Sequence, residues 1–292
     1  MQDLNGEKIK GTTAMTDERI HRAVSADGTE IAGRVHGQGP PLVLFHGTPH
    51  DGDLAWEALL PHLTDRFTCY LPSWRGRGLS GHSEDHTPPR YVEDAIAFVD
   101  SIGGPAYVAG WSYGVAGTLG ATAHCDAVVA AAVYEPTIVP LMRENDFADV
   151  LANHEQVVAA VTDGRLADAA RAFHPFVAND DELAALGAEY YERCAASFPS
   201  WVQVVQEAQA YEGPTATDPD VLGKITVPVL LLRGDRTRRA TFYADTEQYV
   251  AEHVADPHMR ELPGLGHFAP IVAPEPVADA LVSFFGSVRS PA

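Results

Sequence analysis

The sequence predicts an α/β fold in which a mostly parallel, eight-stranded sheet is flanked by helices and interrupted by one helical insertion. Three observations predict it. Short apolar, β-rich runs bounded by turn residues recur along the chain, and helix-length segments with apolar residues three or four apart separate most of them. The alternation then stops between about residues 140 and 213, where the pattern is helical. Alternation of strand and helix implies parallel pairing, because parallel strands need crossover connections.

Taken in order, strands are expected at Ile20 to Ser25, Glu30 to His36 and Pro41 to His46. A helix follows over Leu54 to Leu63, a strand over Phe67 to Leu71 and a helix over Tyr91 to Ile102. Ala106 to Trp111, Val115 to Ala123 and Val128 to Tyr134 read as strand, helix and strand. After the insertion, strands are expected at Pro228 to Arg233 and His258 to Leu262. The expected division is a core of residues 16–139 and 214–292, with residues 140–213 as a helical lid. The lid carries Phe147, Phe173, Phe176, Tyr190, Tyr191, Phe198, Trp201 and Tyr211. Any one of these can simply pack a helix onto the body, but the group points to an apolar substrate pocket. Met15 precedes an ordinary acidic start, so residues 1–15 are expected to be a tag or a disordered terminus.

Composition narrows the function. A chain of 292 residues that is 46% hydrophobic can bury a large core. Its 20 basic and 40 acidic side chains give a formal charge of -20, which repels nucleic acid and anionic lipid. The expected partner is a small-molecule substrate, with no nucleic acid, no membrane and a homodimer left open. Cys69, Cys125 and Cys194 are widely spaced, which fits neither a disulfide framework nor a zinc cluster, so a reducing cytoplasm is the expected location. No phosphate-binding Gly-x-x-x-x-Gly-Lys loop occurs, and no cofactor is expected. His46, His50, Asp51 and Asp53 read as loop residues, and no metal is expected.

The most specific motif is Gly110-Trp111-Ser112-Tyr113-Gly114, between an apolar run and a helical run. A serine hydroxyl becomes a useful nucleophile when a sharp turn projects it and a base removes its proton. Glycines on both sides allow strand and helix to approach closely enough for that turn. Here the chain resembles the α/β-hydrolase superfamily, from about Ile20 to Val288 and most weakly across the lid. The resemblance implies that Phe45-His46-Gly47-Thr48-Pro49 is the oxyanion loop, with the backbone N–H groups of Thr48 and Tyr113 as donors. His46 itself reads as structural support for that loop. Trp74-Arg75-Gly76-Arg77-Gly78-Leu79-Ser80 resembles the family's glycine-rich loop after the fourth strand, with Ser73 where Asp is usual, and reads as structural. Trp111 and Phe268, beside the reacting residues, are expected to touch substrate.

The base is expected at His267, within Leu262-Pro263-Gly264-Leu265-Gly266-His267-Phe268, where the family keeps its histidine on a loop. Two carboxylates compete to orient it. The common family position, three residues beyond the glycine after the seventh strand, holds Thr237, and Asp235 comes two residues early. Glu135 ends the sixth strand, 135 − 112 = 23 residues beyond Ser112, a spacing similar to that in haloalkane dehalogenases, whose oxyanion loop is also similar. Glu135 is the favoured acid and Asp235 the alternative. The expected activity is serine hydrolysis of a small to medium apolar ester, lactone or thioester. The alternatives are carbon–carbon bond hydrolysis, perhydrolysis or a cyclisation on the same fold, or ligand binding without turnover. Dehalogenation and epoxide hydrolysis are disfavoured, since both resemble cases with a carboxylate nucleophile.

Overall fold

The computed structural model describes residues 19–288; the expected tag or disordered terminus lies outside them. The chain runs β1 (Ile20–Val24), β2 (Glu30–Gly37), β3 (Pro41–Phe45), α1 (Gly52–Trp56), α2 (Leu60–Leu63), β4 (Thr68–Pro72), α3 (Pro88–Asp100), β5 (Ala106–Trp111), α4 (Val115–His124) and β6 (Val128–Tyr134). Five helices form the insertion: α5 (Glu144–Thr162), α6 (Leu166–Val177), α7 (Asp180–Ala185), α8 (Ala188–Ala195) and α9 (Phe198–Ala210). The chain then returns through α10 (Pro219–Leu222), β7 (Pro228–Gly234), α11 (Ala240–His253), β8 (Asp256–Leu262), α12 (Ala269–Val272) and α13 (Pro274–Ser287).

The eight strands form one sheet in the order β1-β2-β4-β3-β5-β6-β7-β8. β2 pairs antiparallel with β1 and β4, and the other neighbours are parallel. The period-2 rule divides the core into two layers. Leu42, Leu44, Tyr107, Ala109, Ala130, Ala132, Leu230 and Leu232 face one layer, and Val43, Val108, Ala131, Val133, Val229 and Leu231 the other. The single helix expected over Leu54 to Leu63 is two short helices instead. Pro61 explains the break: it lacks the N–H that would continue the first helix and starts the second comfortably at its first turn.

Charged contacts tie the insertion to the core. Arg193 of α8 grips Glu57 with both terminal nitrogens at 2.7 Å. Three arginines follow β7. Arg239 pairs with Asp146 at 2.6 Å and lies 3.9 Å from the centre of the Phe176 ring, Arg238 pairs with Asp180 at 2.6 Å, and Arg236 reaches Asp181 at 3.0 Å. No helix among the described residues is long and apolar enough to cross a membrane.

Candidate active site

The parallel strands β5, β6 and β7 bring their C-terminal ends to one edge, where open α/β sheets offer a crevice. Ser112 leaves β5 with φ 56 and Glu135 leaves β6 with φ 47, the two non-glycine residues with positive φ among those described. Such backbone costs about 1–3 kcal/mol per residue and persists only where the surroundings impose it. Around Ser112 they do. A Cβ at Gly110 would lie 2.1 Å from Thr118 Oγ1, and one at Gly114 only 2.2 Å from the carbonyl oxygen of Phe45. Strand and helix therefore meet closer than any side chain permits.

Glu135 is fully buried. Its Oε2 accepts a 2.7 Å hydrogen bond from His267 Nδ1, and its Oε1 accepts from the Gly234 N–H at 3.0 Å. Asp235 instead accepts from the Gly264 N–H at 2.6 Å, at the start of the loop that carries His267. Of the two carboxylates weighed from the sequence, Glu135 meets the imidazole and Asp235 braces its loop. Tyr134 Oη donates to the Gly266 carbonyl at 2.6 Å, and Glu182 of α7 accepts from the Phe268 N–H at 2.6 Å. A Cβ at Gly266 would lie 2.6 Å from the Glu182 carboxyl carbon, so a bare glycine lets the insertion dock on this loop.

Ser112 is almost buried, and its Oγ lies 3.2 Å from Thr137 Oγ1. Tyr243 of α11 lies close to the same Thr137 and stacks its ring on His267, with centroids 4.9 Å apart and planes 17° from parallel. Sequence reasoning missed Thr137, Tyr243 and Glu182, whose places depend on tertiary contacts from α7, α11 and the β6 loop. Trp111 and Phe268, expected at the substrate, are wholly buried and meet edge to face at 5.3 Å. Gly47 packs on Ser112, since a Cβ there would lie 3.0 Å from the serine Cβ, so the loop bearing Thr48 sits against the turn bearing Tyr113. His46 has the structural role expected of it: Nδ1 donates to the Gly47 carbonyl at 2.8 Å and Nε2 accepts from the Trp74 N–H at 3.1 Å.

A buried relay lies under the insertion. His174 Nδ1 donates to the Ala170 carbonyl at 2.6 Å, so its Nε2 accepts from Tyr190 Oη at 3.0 Å. The same oxygen then accepts from His50 Nε2 at 2.5 Å. Burial lowers the His174 pKa to about 4 and that of His50 well below 6.5, so both rings are neutral at pH 7. The ligating atoms of His50, His174 and Cys194 lie within 4.8 Å of one another. The Tyr190 hydroxyl already bonds both imidazoles, and burial pushes the Cys194 thiol up to about 12, away from the thiolate a metal needs.

The sequence pattern of the Alpha/beta hydrolase family matches residues 42–280. The chain belongs to that family. This α/β hydrolase is 24% identical over 280 residues to the 2-(acetamidomethylene)succinate hydrolase of Mesorhizobium japonicum, covering 92% of this chain and 96% of that one. An alpha/beta hydrolase from Sphaerobacter thermophilus superposes with a TM-score of 0.69 at 25% identity, covering 91% of this chain and all of that one. A thermophilic esterase from Thermogutta terrifontis superposes with a TM-score of 0.73 at 20% identity, covering 93% and 100%.

Proposed function

We propose that this α/β hydrolase cleaves carboxylic esters of small to medium, largely apolar molecules by covalent serine catalysis beneath a helical lid. The observation that carries the reading is the buried Glu135–His267 hydrogen bond, 2.7 Å long, at the sheet edge where Ser112 leaves β5 with positive φ. Kinship with enzymes named as hydrolases and esterases supports it.

In the proposed reaction the Ser112 hydroxyl turns from Thr137 to His267 Nε2 and loses its proton as its oxygen attacks the ester carbonyl. Glu135 keeps the Nδ1 proton in place and stabilises the imidazolium that forms. The N–H groups of Thr48 and Tyr113 receive the negative oxygen of the tetrahedral intermediate. His267 passes its proton to the departing alcohol, leaving an acyl group on Ser112. A water deprotonated by the same imidazole then releases the acid and restores the serine. In this reading α5 to α9 act as the lid and move aside to admit substrate to the buried Ser112.

Hydrolysis of p-nitrophenyl butyrate, with a burst of nitrophenol equal to the enzyme concentration, is the expected result. Ser112→Ala should abolish the burst and labelling by a fluorophosphonate. Turnover that survives this change in folded protein would end the reading.

A further inference from the structure

We infer that Arg77 is an anchor for a carboxylate carried by the substrate, so that the enzyme's preferred esters are anionic; this rests on, and sharpens, the esterase reading above. Arg75 and Arg77 stand two residues apart in the loop between β4 and α3, and both are buried. Arg75 is neutralised twice, by Asp94 at 2.5 Å and Asp27 at 2.7 Å. Arg77 has no such partner. Its Nε donates to Ser200 Oγ of α9 at 2.8 Å, its Nη1 reaches the His50 carbonyl only at 3.4 Å, and its Nη2 has no hydrogen-bond partner. Among the described residues no carboxylate forms an ion pair with it. The Asp51 carboxylate acts on Arg77 through space without forming an ion pair with it, and a buried charge with no directly paired counter-ion is strongly unfavourable.

A second buried, unpartnered nitrogen lies beside it. His86 Nδ1 bonds Tyr91 Oη at 2.8 Å, while His86 Nε2 is buried without a partner. In the tautomer in which the tyrosine hydroxyl donates to Nδ1, Nε2 carries the ring proton and can donate to a ligand oxygen. A Cβ on Gly76 would lie 3.4 Å from both His86 Cε1 and Ser200 Cβ, so His86 and the Ser200 that binds Arg77 converge on one spot. The outer edge of a guanidinium offers two parallel N–H groups that match the two oxygens of a carboxylate.

The position suits a substrate. Arg77 donates to the carbonyl of His50, in the same loop as Thr48, and its charge is felt by His46, His50 and Tyr113, the neighbour of Ser112. An ester held at Ser112 with a carboxylate at its far end would span the two. In a chain of net charge -20 a local cation offsets the long-range repulsion such an anion meets.

The test compares p-nitrophenyl valerate with p-nitrophenyl hemiglutarate, which differ by one carboxylate. Wild type is expected to favour the hemiglutarate by about 10- to 100-fold in kcat/KM, as a charge-assisted contact implies. Arg77→Gln should lose that preference chiefly through KM, and Arg77→Lys should keep part of it. Glutarate, a product-like probe, should raise the Tm of wild type and of Ser112→Ala but not of Arg77→Gln. Without ligand, Arg77→Gln should melt no lower than wild type, whereas loss of a purely structural arginine would lower Tm. Equal use of both esters by wild type with no glutarate shift overturns the inference, whether or not the variants fold. So does an undiminished hemiglutarate preference in Arg77→Gln. If neither ester is hydrolysed yet glutarate stabilises through Arg77, the anion site stands and the esterase reading falls.

Discussion

Glu135→Gln keeps the shape of the side chain and removes its charge, and the two contacts of Glu135 fix what should follow. Both carboxylate oxygens accept, one from His267 Nδ1 at 2.7 Å and one from the Gly234 N–H at 3.0 Å. A carboxamide has one acceptor and one donor, so one contact must turn donor against donor. If the carbonyl stays with Gly234, the amide faces Nδ1 and drives the ring proton to Nε2, the nitrogen that has to accept from Ser112. If the carbonyl turns to His267, the amide opposes the Gly234 N–H, leaving buried donors unsatisfied at a cost of about 1–3 kcal/mol. In both arrangements the imidazolium loses its counter-charge. Together these effects should raise the barrier by about 4–6 kcal/mol, or roughly 10³- to 10⁴-fold in kcat. The assay is saturating hydrolysis of p-nitrophenyl butyrate, with Asp235→Asn alongside. Asparagine can still accept from the Gly264 N–H, so that variant should stay within about tenfold of wild type. Near-normal turnover by Glu135→Gln, or a deeper loss in Asp235→Asn, would refute the reasoning.

Acid should unfold the protein early. Burial holds His174 at about 4 and His46 at about 3, against an ordinary value of 6.5, so both are neutral in the fold and become charged in the unfolded chain. Their stabilisation is complete above pH 6.5 and lost as pH falls toward 4, by about 3 kcal/mol for His174 alone, which Tm measured across that window will show. Gly114→Ala should cost about 3 kcal/mol or more and abolish activity, because the new Cβ would meet the Phe45 carbonyl at 2.2 Å; chemical denaturation of any soluble protein measures it. Arg239→Ala should speed amide hydrogen exchange in α5 and α6 by about 10-fold or more, since it removes both the Asp146 pair and the stack on Phe176.

The sheet was legible because its signals are local. Runs such as Ala106 to Trp111 and Val128 to Tyr134 are bounded by turn residues and coincide with β5 and β6 residue for residue. The Gly110–Gly114 turn was legible for the same reason, as the steric demand lies within the motif. Glu135 could be favoured but not chosen over Asp235, since both follow a strand and only the paths of β6 and β7 decide which carboxylate faces the imidazole. Thr137, Tyr243 and Glu182 carry no motif at all. They reach the Ser112 and His267 segments through the packing of separate elements, and spacing along a chain does not encode that.

On the proposed assignment, the turn after β7 is released from any duty toward the imidazole except that of Asp235 as a brace. It is this turn that holds Arg236, Arg238 and Arg239, each paired with an aspartate of the insertion. Moving the acid one strand over thus separates two tasks, so that mutations in the β7 turn can retune how often the crevice opens while leaving the chemistry beneath it intact. Variants there are a route to altering substrate admission and release independently of bond cleavage.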